Sequence, residues 1–209
     1  MDRIQKIILE IWNDIDNLMN NDIRIISSEK SVVFNFACEL SKKYPQQLKF
    51  IDFESCLFGD FSDGTFLDLY FIFDSGNEQV RIGIEFKFPH KKRNGSNKTN
   101  TRQKIINDVK RINWLVNNKI IDVGCFLCLT NEIGYINSGN FKSAPTFLTH
   151  HGKTYEQNEI LPINELSKEE VIAIKQINFN WLNIVSIGKK IKIDSVKKFS
   201  FLYPIFITI

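Results

Sequence analysis

Residues 66–88 read FLDLYFIFDSGNEQVRIGIEFKF. Two runs of aromatic and β-branched residues flank a polar turn, which is the pattern of a β-hairpin. Strand side chains alternate between faces. Leu67, Leu69, Phe71 and Phe73 therefore share one face of the first strand (about 65–74), and Val80, Ile82, Ile84, Phe86 and Phe88 one face of the second (80–88). The opposite faces carry Asp68, Glu85 and Lys87 in the middle of apolar runs. Desolvating an unpaired charge is costly, so these groups either meet solvent or serve chemistry. A four-residue loop, 76–79, sets Ser75 opposite Val80, Asp68 opposite Lys87 and Tyr70 opposite Glu85, whereas a one-residue slip would mix the two faces.

Working outward, Ile4, Ile7, Ile8, Ile11, Trp12, Ile15, Leu18 and Met19 follow helical spacing. A second helix is predicted over 28–43, capped by Ser27 or Ser28 and stopped before Tyr44-Pro45. A strand follows at 48–55, then the turn-rich GDFSDG. Beyond the hairpin lie a polar, basic loop (PHKKRNGSNKTNT), a helix over 102–117 and the apolar strand DVGCFLCLT. The stretch 133–157 reads as irregular, and 167–177 as a helix capped by Ser167. The C-terminal runs KKIKIDSV and KFSFLYPIFITI predict a final hairpin or paired strands. This order predicts a mixed α/β (α+β) fold, a central mixed sheet flanked by helices. The 209 residues fit a single domain, with 1–26 as an N-terminal helical extension and 131–209 as a C-terminal elaboration packed on the core.

Charge is unevenly spread. Residues 90–121 hold nine bases and the single acid Asp108, while the whole chain is only +3. Clustered Lys and Arg suit a polyanionic partner, although solvated loops and helix faces would account for the same pattern. Cys125 and Cys128 form a CxxC, but three positions apart on a strand they face opposite sides, which argues against joint metal chelation. The N-terminus lacks the pattern of a signal peptide, and the apolar tail is shorter than the roughly 20 residues a spanning helix takes. A soluble, cytoplasmic protein is expected. Phosphate-loop, dinucleotide and GxSxG patterns are absent from the sequence. With His90, His150 and His151 the only histidines, a zinc site is not expected.

Two carboxylates and an ammonium on adjacent strands make a compact charged patch. Close carboxylates favour a bound cation or a shared proton, and all-oxygen donors suit Mg2+ or Mn2+. A surface ion pair between Asp68 and Lys87 is the plain structural alternative.

The arrangement resembles the PD-(D/E)XK nuclease superfamily, whose signature is an Asp on one strand and Glu or Asp, any residue, then Lys on the next. The matching residues are Asp68 in FLDLYF and Glu85-Phe86-Lys87 in IGIEFKF. Glu29, in SSEKSVVF, resembles the acid that many members carry on the preceding helix, and NDVKRINWLVNN followed by VGCFLCLT matches the family's next helix and strand. The resemblance covers about 27–130 and departs at Leu67, where the family's Pro usually stands.

It implies a restriction-endonuclease-like core and a Mg2+-dependent nuclease, with Mn2+ able to substitute. Asp68, Glu85 and the Phe86 carbonyl would hold the metal. Asp68, Glu85, Lys87 and Glu29 would be catalytic, with Lys87 orienting or helping to deprotonate water. Lys91, Lys92, Arg93, Lys98, Arg102, Gln103 and Lys104, on and just after the basic loop, would contact DNA, with RNA left open. Restriction or defence against foreign DNA is the implied setting. A homodimer is also implied, with the first helix and the apolar C-terminus as candidate surfaces, although either would serve equally as core. A non-catalytic nucleic-acid- or protein-binding module on the same fold is the alternative, and an unrelated mixed α/β protein whose hairpin imitates the motif is a third.

Overall fold

A computed structural model describes residues 2–24, 26–57, 66–76, 78–90, 98–138, 147–163, 170–188, 190–193 and 198–209. In chain order these form α1 (Asp2–Asn20), α2 (Glu29–Lys43), β1 (Leu48–Ser55), β2 (Leu67–Asp74), β3 (Gln79–Lys87), α3 (Lys98–Asn117) and β4 (Val123–Thr130). A 3-10 turn (Ile133–Tyr135) and six short strands follow: β5 (Lys153–Tyr155), β6 (Ile177–Phe179), β7 (Ile184–Ile187), β8 (Lys190–Ile193), β9 (Ser200–Phe201) and β10 (Ile205–Thr208). The architecture is mixed α+β around a central mixed sheet of order β1-β2-β3-β4-β10, with β9 also on β4. β1, β2 and β3 run antiparallel, and α3 crosses over to place β4 parallel to β3.

The two faces of the hairpin explain the layering. Its apolar face, with Leu69, Phe71, Phe73, Val80, Ile82, Ile84 and Phe86, packs under α1 and α2. Trp12 is fully buried there, edge-on to Phe86 and Phe201, and its indole N–H donates to the Leu202 carbonyl over 2.9 Å. The first helix and the C-terminal strand therefore supply core. Ile4, Ile7, Ile8, Ile11, Ile15, Ile205 and Ile207 are all buried within the chain, so of the two readings of these apolar segments, dimer surface or core, the core reading holds. Cys125 and Cys128 sit in the two different cores, one on each side of the sheet, as strand alternation requires.

α3 covers the other face. Ile105, Ile106, Val109, Ile112, Leu115 and Val116 are buried, and the approach to β4 is close: a Cβ on Gly124 would lie 2.1 Å from Ile112 Cγ2. The helix begins at Lys98, about one turn before its predicted start. Leu67 leaves the apolar face of its own strand and joins this second core, beside the bare backbone of Gly83.

The register differs from expectation by two residues. Asp74 pairs with Gln79 and Leu69 with Ile84, so the next step along the ladder sets Asp68 against Glu85, not Lys87. The turn chemistry decides this. Asp74 Oδ1 accepts from the Gly76 N–H, Ser75 N–H donates to the Glu78 carbonyl, and Gly76 takes a φ of 94°. A shift of two keeps every side chain on its face, so face patterning alone could not detect it.

Two further expectations are corrected. Residues 170–177 are not helical: Ile172 bridges Ile160, and Ile177 opens β6. Buried Val171 and Ala173 alternate with exposed neighbours, and the Asn113 side chain on α3 grips this segment as a strand partner would. It donates to the Ile172 carbonyl over 2.6 Å and accepts from the Ile174 N–H over 3.0 Å. The preceding 164–169 lie outside the described residues. At the C-terminus, β9 and β10 pair with β4 rather than with each other, and β8 pairs with β7. Among the described residues no helix is long and apolar enough to cross a membrane.

Candidate active site

The charged face of the hairpin is largely covered: Glu85 is buried, and Asp68 and Lys87 are partly buried. It is roofed by α3, and the start of α2 closes the end of β3. Ser28 caps α2, its hydroxyl accepting from the Ser31 N–H, which places Glu29 in the first turn. Glu29 Oε2 accepts from the Phe88 N–H over 2.9 Å, and its Oε1 lies 3.2 Å from Lys87 Nζ. Asp68 Oδ2 accepts from the Phe86 N–H over 2.8 Å. The Asp68 and Glu85 carboxyls lie within hydrogen-bonding reach of each other.

Glu85 is fully buried. Its Oε1 accepts from Arg111 Nη2 over 2.6 Å and Nε over 3.1 Å, while Oε2 is buried without a hydrogen-bond donor. Asp108 completes the cluster, with Oδ1 2.8 Å from Arg111 Nη2 and Oδ2 2.9 Å from Lys87 Nζ. Four carboxyls thus surround two cations. Sequence reasoning found Glu29, Asp68, Glu85 and Lys87 and missed Asp108 and Arg111. The available signal was slight: Asp108 is the single acid of a basic segment, three residues before Arg111. That spacing puts both on one helix face.

Burial raises the Asp68 carboxyl, against the Phe86 N–H and Lys87. Burial, reinforced by the charge of Asp108, pushes Glu85 well above the ordinary carboxylate range, with Arg111 opposing. For Lys87 burial works against the charge, yet Asp108 and Glu29 outweigh it and hold the ammonium above its ordinary value. The carboxyl pair is thus poised to keep a proton or to exchange it for a cation, while the lysine stays charged.

The orphaned Oε2 of Glu85 beside Asp68 fits a hard divalent cation held by two carboxylates. Glu29 has both oxygens engaged by β3 and its extension. Among the described residues no group of three or more His, Cys, Asp or Glu side chains is placed to hold a metal ion.

The nucleic-acid candidates separate. Lys91, Lys92 and Arg93 lie outside the described residues. Lys98 and Lys104 are exposed on α3 and Gln103 is half-buried, with Lys98 Nζ 3.9 Å from Glu132 Oε2. Arg102 is committed inward: it is 5% exposed, donates to the Gly134 carbonyl and lies 5.8 Å from the centre of the Tyr135 ring. Two of the three histidines serve local structure. His90 stacks on Phe88, and His151 Nδ1 accepts from the Trp181 N–H.

No family model, curated protein or solved structure matches the chain.

Proposed function

We propose that this protein is a divalent-metal-dependent nuclease of restriction-endonuclease-like fold that hydrolyses phosphodiester bonds of DNA. One observation carries the reading: the Asp68 and Glu85 carboxyls meet on adjacent strands, one buried carboxylate oxygen lacks a donor, and Lys87 stands two residues along the same strand. A bound Mg2+ or Mn2+ would supply an activated water and neutralise charge on the scissile phosphate. Asp68 and Glu85 would hold that ion. Lys87 is a donor rather than a base, because Asp108 and Glu29 keep its ammonium protonated, and it would stabilise charge developing on the phosphate oxygens. Glu29, Asp108 and Arg111 position the charged groups. Cleavage of foreign DNA is the setting proposed, by analogy with small stand-alone nucleases of this type.

The second reading is a binding module on the same fold. It is favoured by the closed network, in which Lys87 and Arg111 both have carboxylate partners within the protein. The test is cleavage of plasmid and phage DNA with and without Mg2+ or Mn2+, comparing the wild type with Glu85→Ala and Lys87→Ala. Metal-dependent cutting lost in both folded variants supports the nuclease. A well-folded wild type that cuts none of several DNA and RNA substrates leaves the binding module.

A further inference from the structure

A cleft of about 510 Å³ opens from the candidate site between α2, β1 and β2. Asp68 and Glu29, the less exposed of its charged residues, belong to both the cleft and the carboxyl cluster. Two aromatic rings stand in it, Phe34 from α2 and Phe53 from β1, 62% and 45% exposed. Single exposed apolar side chains are common on protein surfaces. Two rings lining one concavity that reaches Asp68 of the carboxyl pair are a different arrangement. The rim carries Lys30 and Glu54, paired at 2.7 Å and both well exposed. Glu54 reaches that pair from a backbone φ of 52°, a left-handed conformation that is rare for a non-glycine residue and tends to occur at ligand sites.

Within the nuclease reading above, we infer that this cleft receives an unpaired nucleotide, so that the site acts on single-stranded or unstacked nucleic acid. The chemistry matches part by part. Every base has an apolar π-face that stacks on a phenylalanine ring without regard to sequence. A duplex hides those faces, so exposed rings beside the site serve a strand whose bases are free. Lys30 can exchange an exposed carboxylate partner for a backbone phosphate. Asp68, which the cleft reaches, would meet the phosphodiester through a cation held with Glu85. The volume falls in the ordinary range for small-ligand pockets, roughly 300–1,000 Å³, and so has room for one nucleotide.

The test measures binding in EDTA, which stops metal-dependent cutting, to a short oligonucleotide carrying 2-aminopurine. It is presented as single-stranded DNA, as single-stranded RNA of the same sequence, and as duplex DNA. The variants are Phe34→Ala, Phe53→Ala and Phe34→Trp. Both phenylalanines are solvent-exposed, so circular dichroism should report unchanged folding. Expected are tighter binding of a single strand than of duplex, quenching of 2-aminopurine, and a loss of about tenfold per alanine that Trp does not cause. The DNA and RNA arms tell which strand the protein takes. Duplex bound at least as tightly as either single strand, with both alanine variants equal to wild type, overturns the inference. Metal-dependent cutting of duplex DNA that needs Glu85 would in that case keep the nuclease reading alive. Ring-dependent binding without cutting in Mg2+ or Mn2+ supports the cleft as a nucleotide site and removes the nuclease reading instead.

Discussion

Arg111 and Glu85 join α3 to β3 across the candidate site, with Nη2 2.6 Å and Nε 3.1 Å from the same carboxylate oxygen. The glutamate is fully buried, and the arginine side chain is 19% exposed. Breaking a buried pair from one side leaves the other charge without compensation. Arg111→Met should therefore destabilise the fold by about 3–5 kcal/mol at neutral pH. Adding Glu85→Gln should return much of that loss, because the stranded charge is gone. Urea denaturation of the two single variants and the double variant gives the coupling directly. Additive effects would show that the pair contributes no coupling.

The carboxyls also set a pH dependence. Glu85 and Asp68 are raised above their ordinary values of 4.5 and 3.8, burial being the leading cause in each. The folded state keeps protons that the unfolded chain has already released. Their contribution to stability is therefore fully present below those ordinary values and is lost as pH rises through the folded values. Thermal melts of wild type and Glu85→Gln across this range should diverge, the variant gaining relative to wild type as pH rises. If the pair holds Mg2+ as proposed, adding the ion should stabilise the wild type, and more so at higher pH, since only the deprotonated pair could take it. A metal effect that shrinks with rising pH would exclude this linkage.

Asp108 holds Lys87 and Arg111 together, at 2.9 and 2.8 Å. If the site is a nuclease, Asp108→Asn should lower kcat by roughly 10- to 100-fold, the usual effect of removing a positioning partner. The acid limb of the pH–rate profile should move as well, because the charge of Asp108 helps to raise Glu85. Asn117→Ala, at an exposed position at the far end of the same helix, should leave both unchanged. Steady-state cleavage of a labelled oligonucleotide across pH separates a positioning role from a purely structural one.

The fold makes its own demand at Gly124. An added methyl would sit 2.1 Å from Ile112 Cγ2, an impossible distance, so α3 must shift away from β4. Gly124→Ala should cost about 1–3 kcal/mol or more. If the site is a nuclease, the substitution should also reduce cleavage, because α3 carries Asp108 and Arg111. Ile112→Leu in the same chain removes the Cγ2 branch at nearly constant volume and should restore part of the stability, which denaturation midpoints would show.

Cysteine reactivity offers a test of the layering. Cys38 and Cys56 are exposed, while Cys125 and Cys128 are buried in β4. Burial raises both buried thiols well above their ordinary value, so little thiolate forms. Titration with a thiol reagent should modify two cysteines rapidly under native conditions and the other two only on unfolding.

Much of the scaffold was legible because its signals are local. The apolar stripe from Ile4 to Met19 and the two-residue alternation in Val80–Phe88 belong to neighbouring positions on one element. So do the Ser28 cap and the opposite-facing Cys125 and Cys128. The segment after Glu170 was not legible in the same way. Its helical appearance yields to Asn113, an α3 residue 59 positions from Ile172 in the chain.

The sequence by itself determined which face of the hairpin carries Asp68, Glu85 and Lys87, since alternation is a property of the strand backbone. Only the tertiary structure decided what lies on that face. A turn closed by Asp74 and Ser75 set Asp68 against Glu85 rather than Lys87. The crossover of α3 then brought Asp108 and Arg111 over the strands, 21 and 26 positions from Lys87 and Glu85 in the chain. Ionic partners chosen by the packing of a helix on a sheet leave no local period in the chain. The charges on the hairpin could therefore be read from the sequence, but the network that neutralises them could not.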